Sequence, residues 1–274
     1  MIELPEGLVL AQQIEGVLTG KKISALIAAS SPHKFAWFYG DPTEYGKLFT
    51  GSVVEGAHSY GGKLHIRLSG DGGFMFCDGV VPRYYTDKEA LPNKHQLYIA
   101  FDDSTYLICT IQMYGGIYGY TGRLDNVYDD IARSKPSVFS DAFSLDYFKE
   151  LLAGALKPKH SAKAFLATEQ RIPGLGNGVS QDILFAAGIS PKRDIATLTP
   201  AETLRLYRSV KETLSEMTQK GGRDTERDLY GNRGGYQSVM SKNTYMFPCP
   251  GCGGTVRKEA YMGGSVYYCP ECQK

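Results

Sequence analysis

Hydrophobic and polar positions along the chain follow two different periods, one after the other. Residues 5–18 place Leu8, Ala11 or Gln12, and Val17 or Leu18 near helical spacing, between Pro5 and Gly20. From residue 22 to about residue 120 the period shortens to two, in runs such as GKLHIRLSG and GGFMFCDGVV, with DGG and DDS as turn signals. The pattern predicts an N-terminal helix followed by an antiparallel β-sandwich or barrel.

The second half of the chain returns to helical spacing. Helices are expected over residues 144–156, 160–169, 177–188 and 199–219, and the last begins with Thr199 as N-cap and Pro200 at the first helical position. The mixed, polar segment 123–142 suits a linker, and the Gly- and charge-rich segment 221–241 suits a loop. The predicted fold class is therefore α+β, with the strands before the main helices.

Composition narrows the class of protein without identifying a partner. The 274 residues are 42% hydrophobic and 22% charged, which is typical of globular proteins of two or three compact units. The 32 glycines and 19 tyrosines follow no repeat, so collagen-like and low-complexity proteins are excluded. No apolar run reaches membrane-spanning length, and MIELPEG does not resemble a signal peptide. We therefore expect a cytoplasmic protein without a membrane partner.

The net charge of +1 conceals a difference between the two halves of the chain. Residues 1–150 carry 13 Lys and Arg against 18 Asp and Glu, whereas residues 151–274 carry 17 against 11. A basic half suits an anionic partner such as nucleic acid. An ordinary solvated surface explains the same charge equally well.

Four of the six cysteines lie close to the C-terminus in a paired spacing. Cys249-x2-Cys252 and Cys269-x2-Cys272 form the two pairs, and the intervening TVRKEAYMGGSVYY predicts a hairpin with Gly263-Gly264 at its tip. Two such pairs supply four thiolates to one tetrahedral zinc ion, which would then be structural because no coordination position remains for water. Two disulfides are the alternative, which a reducing cytoplasm disfavours. The other two cysteines, Cys77 and Cys109, lie in apolar stretches and are expected in the core.

A glycine-rich turn, RIPGLGNG (residues 171–178), joins two of the predicted helices. Gly174 and Gly176 permit close approach of another backbone, and the amides from Asn177 onward would point out of a helix N-terminus. Such amides form a ready phosphate site. A simple glycine-rich turn is the alternative.

Four separated segments of the chain resemble the formamidopyrimidine-DNA glycosylase/endonuclease VIII family. They are MIELPE at the N-terminus, IPGLGNGVSQDILFAAGISPKR around the turn, GGRDTERDLYGNRGGYQ, and PCPGCGGTVRKEAYMGGSVYYCPECQ. The resemblance spans the chain and implies a β-sandwich lobe with an N-terminal helix (1–122), a linker (123–142), a helix–two-turn–helix domain (143–240) and a zinc finger (241–274). It further implies duplex DNA in a cleft between the lobes, with the damaged base flipped out of the stack.

The resemblance also implies a chemistry and the residues that perform it. In the family an N-terminal proline amine attacks the sugar C1′ and forms a Schiff base, with a neighbouring glutamate as general acid/base. Glu3 matches that glutamate and Glu6 the second family glutamate. Lys63 matches a phosphate-contacting lysine, and Asn177 matches the phosphate-binding asparagine of the two-turn motif, beside Arg171. The zinc ligands match Cys249, Cys252, Cys269 and Cys272.

The chain departs from the family pattern at three places. Ile2 stands where the proline is expected, so Met1 should be retained and the nucleophile would be the Met1 amine or Lys63. The hairpin tip lacks the family arginine, which leaves Arg257 and Lys258 as the basic residues of the hairpin. The stretch that fills the space of the flipped base reads Gln112-Met113-Tyr114, with Tyr114 as an aromatic wedge or as an ordinary strand end.

Two functions remain as hypotheses at this stage. The first is a damaged-DNA-binding protein with DNA glycosylase and AP lyase chemistry on a lesion or abasic duplex, acting as a monomer. The second is a catalytically inactive nucleic-acid-binding module whose ligand is DNA or a structured RNA such as ribosomal RNA. A zinc-stabilised scaffold for a protein partner has no specific sequence support.

Overall fold

A computed structural model describes residues 1–156 and 160–274. The helices are α1 (Leu4–Leu18), α2 (Tyr45–Phe49), α3 (Val127–Ser134), α4 (Leu145–Gly154), α5 (Ala162–Ala167), α6 (Asn177–Ala187) and α7 (Pro200–Gln219). The strands are β1 (Ile23–Ala28), β2 (Ala36–Phe38), β3 (Val54–Tyr60), β4 (Lys63–Leu68), β5 (Gly72–Tyr85), β6 (Leu97–Phe101), β7 (Tyr106–Thr121), β8 (Arg257–Tyr261) and β9 (Gly264–Tyr268). Short 3₁₀ turns lie at Pro42–Glu44 and Ile195–Thr197.

The N-terminal half forms one seven-stranded sheet in the order β1-β6-β7-β5-β4-β3, with β2 added in parallel to β7. The long strands β5 and β7 pair with each other. At one end β5 pairs with β4, which leads to β3, and at the other end β7 pairs with β6, which leads to β1. The sheet therefore covers a core from two sides. The helix α1 closes that core with Leu10, Ile14 and Leu18. The structure thus confirms the α+β class with an antiparallel sheet, and β2 with β7 is the one parallel pair of strands among the described residues.

A second core lies among the helices α4 to α7. Phe148, Phe165, Val179 and Leu214 are fully enclosed there, and Leu4 joins them from the first turn of α1. The helix α1 therefore contributes to both cores, which fixes the N-terminus of the chain at the boundary between the lobes. The predicted Thr199 cap of α7 is present as a complete capping box with Glu202.

Two parts of the N-terminal half differ from the sequence-based expectation. The segment 42–49, placed in the β-rich stretch, folds as a 3₁₀ turn and α2, because Tyr45 and Phe49 bury their rings in the sheet core. The segment 123–142, expected to be a linker, contains α3. The carboxamide of Asn126 caps this helix, and its Asp129 is buried against His65. The polar composition of this segment did not indicate a helix, because α3 is stabilised by side-chain hydrogen bonds.

Two further expectations concern burial and membranes. Cys77 and Cys109 are buried in the sheet, and burial raises the pKa of the Cys77 thiol to about 12, which makes it an unreactive core side chain. Within residues 1–156 and 160–274, no helix is both long and apolar enough to cross a membrane.

Candidate active site and nucleic-acid interface

A cleft of about 760 Å³ separates the two lobes, and most of the predicted catalytic and nucleic-acid-binding residues line it. The N-terminal lobe contributes the chain start, the β3–β4 turn and the middle of β7. The C-terminal lobe contributes the turn before α6, the segment 223–242 and the tip of the β8–β9 hairpin. The predicted site residues that line it are Met1, Ile2, Glu3, Lys63, Met113, Tyr114 and Asn177.

The carboxylate of Glu3 is bound at the N-terminus of α6. Its Oε1 accepts from the amide of Gly178 at 2.9 Å and its Oε2 from the amide of Val179 at 2.8 Å. The N-cap residue Gly176 has no side chain to cap these amides, and the helix dipole adds a favourable interaction with a negative charge. The expectation that the amides from Asn177 onward bind phosphate is therefore wrong for Gly178 and Val179, because Glu3 already occupies both of those amides.

A larger residue at either glycine beside this contact would force the Glu3 or Arg223 side chain to shift. A Cβ on Gly176 would lie 2.6 Å from Oε1 of Glu3, and a Cβ on Gly178 would lie 1.6 Å from a guanidinium nitrogen of Arg223. Gly176 and Gly178 therefore leave the space that the Glu3 carboxylate of the other lobe occupies.

Arg223 joins Glu3 and Glu6 in one buried charge cluster. Its Nε and one terminal nitrogen donate to the two oxygens of Glu6 at 2.9 and 2.8 Å, and its other terminal nitrogen lies 3.5 Å from Oε2 of Glu3. Burial opposes ionisation of Glu6, but Arg223 outweighs it and lowers the pKa of the Glu6 carboxyl. Glu6 does not line the main cleft and serves as the anchor of Arg223.

The nitrogen atoms at the start of the chain have different partners. The backbone amide of Ile2 donates to the carbonyl of Asp78 at 2.6 Å, and its side chain is buried in the sheet core. The amine of Met1 pairs with Oε2 of Glu226 at 2.6 Å and faces the cleft. The nitrogen at the family's proline position is thus an amide engaged in a hydrogen bond, and the amine is one residue away.

Lys63 reaches the cleft from the first position of β4. The preceding turn packs tightly on the other lobe, since a Cβ on Gly61 would lie 2.6 Å from the backbone of Pro173 and one on Gly174 equally close to Gly61. Both glycines have positive φ. No ion-pair partner of Lys63 occurs in the described part of the chain, so its ammonium group is available to a ligand.

Met113 and Tyr114 project into the cleft from β7, where Met113 has a left-handed backbone (φ 62°) and is 72% exposed. A bulge in β5 between Asp78 and Val80 adjoins this point. Gln112 faces a neighbouring cavity of about 90 Å³ instead. An exposed methionine beside a half-exposed tyrosine is the arrangement expected of a wedge.

The β8–β9 hairpin is docked on α6 next to the cleft. The side-chain amide of Asn177 donates to the carbonyl of Ser265 at 3.0 Å, and Oε1 of Gln181 accepts from the amide of Tyr267 at 2.6 Å. The Oδ1 atom of Asn177 is buried and has no hydrogen-bond partner among residues 1–156 and 160–274. The side chain of Asn177, which was predicted to contact phosphate, thus makes a structural contact to the hairpin.

Three predicted basic contacts lie outside the cleft lining. Arg171 is buried and bonds Glu169 and the carbonyls of Ala164 and Thr168, so its guanidinium supports the turn instead of facing a ligand. Arg257 and Lys258 are exposed at the base of the hairpin, far along the strand from its tip.

Four functional candidates in the cleft were not singled out from the sequence: Asp78, Lys163, Arg223 and Glu226. Lys163 is the clearest case, because its ammonium group donates to the carbonyl of Tyr261 and burial lowers its pKa. A lysine inside the apolar run AKAFLA is a signal that could have been noticed. The other three require knowledge of the tertiary structure.

The four C-terminal cysteines form one cluster that can hold a metal ion. Their sulfur atoms all lie within 4.8 Å of one another, with 3.7 Å between Cys249 and Cys272 and 3.5 Å between Cys252 and Cys269. The amide of Gly254 donates to the Sγ of Cys252, as is usual around metal-bound thiolates. Cys249 and Cys269 belong to a small core with Tyr267, which ties the cluster to the hairpin.

Comparison with known proteins agrees with this architecture. A family model of the formamidopyrimidine-DNA glycosylase H2TH domain matches residues 135–228. The formamidopyrimidine-DNA glycosylase of Bacillus licheniformis is 25% identical over 290 residues, covering all of both chains. That of Pelotomaculum thermopropionicum is 38% identical over 133 residues, covering 47% of this chain and 48% of the relative.

Solved structures resemble the chain over almost its whole length. The MutM (Fpg) protein of Thermus thermophilus superposes with a TM-score of 0.80 at 24% identity, covering 99% of this chain and 98% of that one. The Lactococcus lactis Fpg in complex with DNA containing an abasic site gives a TM-score of 0.83 at 22% identity, covering 99% of each chain. At these identities the likeness establishes the fold.

The fold and the cleft define a two-lobed protein with a helix–two-turn–helix motif and a C-terminal cysteine cluster. The chain is similar over its whole length to formamidopyrimidine-DNA glycosylases, and residues 135–228 match the H2TH domain of that family.

Proposed function

We propose that the protein binds damaged DNA in the interlobe cleft and acts in base-excision repair as a DNA glycosylase and AP lyase. The observation that carries this proposal is the placement of Glu3 in the cleft, held at the N-terminus of α6 and facing the same space as an amine and Lys63. The relatives are named as DNA glycosylases, and one of the similar structures contains abasic-site DNA. We place the protein in the cytoplasm as a monomer.

The proposed chemistry needs an amine nucleophile and a carboxylate. The Met1 amine or Lys63 attacks C1′ of the sugar, the base leaves, and the resulting Schiff base permits cleavage of the strand by β-elimination. Glu3 is the general acid/base for these proton transfers. Met113 and Tyr114 fill the space of the flipped nucleotide, and Lys63 and Asn177 contact phosphates on the two sides of the cleft. Arg257 and Lys258 are assigned to more distant phosphates.

We propose zinc as the metal of the cysteine cluster, in a structural role. Tetrahedral coordination with Zn–S bonds of about 2.3 Å places sulfur atoms about 3.8 Å apart. The spacing of 3.5 and 3.7 Å within the cluster is close to that requirement. Four thiolates complete the coordination shell, so the ion would fix the hairpin against α6 without activating water.

Borohydride trapping on a duplex with one abasic site tests the enzyme hypothesis directly. The expected result is a covalent protein–DNA adduct, which Glu3→Gln reduces strongly, and peptide mapping of the adduct identifies Met1 or Lys63 as the attachment site. The matched control is Glu15→Gln, which changes a carboxylate of the same helix outside the cleft. The absence of any adduct at high protein concentration, with wild type and Glu3→Gln indistinguishable, would contradict catalysis.

A second candidate function is a catalytically inactive nucleic-acid-binding module. It is favoured by the amide hydrogen bond of Ile2 to Asp78 and by the Glu226 partner of the Met1 amine. Such a module would bind duplex DNA or a structured RNA with a salt-dependent affinity that Lys63→Ala weakens and Glu3→Gln leaves unchanged. Comparison of an abasic duplex with a folded RNA of the same length, in the same titration, distinguishes the two ligands.

A further inference from the structure

An exposed row of aromatic side chains continues the cleft along the N-terminal lobe. Phe35 and Trp37 are each 48% exposed and Tyr39 is 37% exposed, whereas Ala36 and Phe38 between them pack against the sheet core. We call Phe35, Trp37 and Tyr39 the aromatic row. The alternation shows that β2 and its flanking residues direct one face to solvent and the other to the core.

The aromatic row is joined to the cleft through one ring contact. β2 runs parallel to the part of β7 that directly follows Met113 and Tyr114, with Trp37 paired to Gly116. The ring of Trp37 lies 6.0 Å from that of Tyr114, which itself lines the cleft. A nucleic-acid strand that contacts Met113 and Tyr114 therefore meets Trp37 next.

The chemistry of the aromatic row suits unpaired bases better than a duplex. An aromatic side chain stacks on the face of a base, and in a duplex those faces are covered by neighbouring bases. Alternate residues of a strand lie about 6.6 Å apart, roughly twice the 3.4 Å base spacing of a duplex strand. The row thus matches an extended strand with unstacked bases. The ammonium group of Lys34 lies over the Phe35 ring, where it can meet a phosphate of such a strand.

The charge of the N-terminal lobe also favours a single strand over a duplex. The N-terminal lobe, residues 1–122, carries 9 basic against 12 acidic side chains, so it is poorly suited to neutralise the phosphates of a second duplex strand. Stacking of a base on an aromatic face supplies binding energy without a charged side chain, and a single strand brings fewer phosphates to this lobe than a duplex. On the basis of the function proposed above, we propose that the aromatic row is a stacking platform for unpaired bases, so that the preferred substrate carries its lesion beside a single-stranded segment.

Trp37 is the only tryptophan in the chain, and its fluorescence therefore reports on the aromatic row alone. A short oligothymidylate should quench Trp37 emission, and an intact duplex of the same length should leave it unchanged. Trp37→Ala should weaken binding of the labelled oligothymidylate about 5- to 100-fold, in fluorescence anisotropy, and Trp37→Phe should restore most of it. Tyr128→Ala, which removes a similarly exposed aromatic ring on α3, is the matched control and should have no effect.

The outcomes separate this proposal from the proposed function. An abasic duplex titrated into the same samples should bind whether or not the row stacks bases. Normal abasic-duplex binding without Trp37 quenching by oligothymidylate, or with unchanged oligothymidylate affinity in Trp37→Ala, would overturn the stacking platform alone. A change of Trp37 emission with protein concentration in the absence of DNA would show that a second copy covers the row, and would also overturn it. Failure of the wild type to bind the abasic duplex would contradict the proposed function instead.

Discussion

Arg223 bonds Glu6 through two guanidinium nitrogens at 2.9 and 2.8 Å, and this buried pair connects the segment before the cysteine cluster to the first helix. The same guanidinium lies 3.5 Å from Glu3. One arginine thus contacts both buried carboxylates, and the amides of α6 supply the remaining stabilisation of Glu3. The geometry separates their roles, because Glu3 faces the cleft and Glu6 does not.

Removing Arg223 should destabilise the protein strongly. Arg223→Met leaves Glu6 buried without its cation, and breaking one partner of a buried pair costs about 3–5 kcal/mol. The free energy of unfolding from urea denaturation measures the effect. The double variant Arg223→Met/Glu6→Leu should recover part of the loss, since no uncompensated charge remains at that position. Equal stability of the single and double variants would contradict this role of the pair.

The lowered pKa of Glu6 predicts loss of stability in acid. A carboxyl whose pKa is lower in the folded than in the unfolded chain stabilises the fold above its unfolded value of 4.5, and loses that contribution as the pH falls through the folded value. The free energy of unfolding should therefore decrease below about pH 4.5. In Glu6→Gln the decrease should be smaller. Parallel pH profiles of the wild type and Glu6→Gln would contradict this contribution of the Glu6 carboxylate to stability.

Two glycine substitutions should act in opposite directions. In Gly178→Ala the new Cβ collides with Arg223 beside Glu3, so we expect a loss of about 1–3 kcal/mol and a weaker trapping yield. Gly16→Ala lies in α1 with open space around the new Cβ, and should stabilise the helix by about 0.5–1 kcal/mol. Thermal unfolding compares both with the wild type. An equal response of the two variants would show that the contact at Gly178 is not restrictive.

Loss of the metal should disconnect the hairpin from the cleft. Cys252→Ser removes one of four sulfur ligands, and the links from Asn177 to Ser265 and from Gln181 to Tyr267 should weaken with it. We expect a lower zinc content and weaker binding of abasic DNA. Met246→Ala, at an exposed position just before the cluster, is the control with full zinc content. Unchanged DNA binding in a zinc-free protein would separate the hairpin from the interface.

The local patterns of the sequence determined most of the helices and strands and the cysteine cluster. The period of α1, the capping box at Thr199 and the two Cys-x2-Cys pairs depend on neighbouring residues, so they are visible in the sequence. The sequence pattern did not predict the helix α3, because a cap and the buried pair of Asp129 with His65 stabilise it in place of an apolar stripe.

Only the tertiary structure decided what the site residues do. Glu3 and the amides of α6 are separated by 175 residues, and their contact turns an expected phosphate site into the holder of a carboxylate. Arg171 is turned inward by its bonds to Glu169 and backbone carbonyls, whereas Arg223 is drawn into the boundary between the lobes by two glutamates. Residue type specifies which charges exist, but long-range packing fixes which charges are paired, buried or free to meet a ligand.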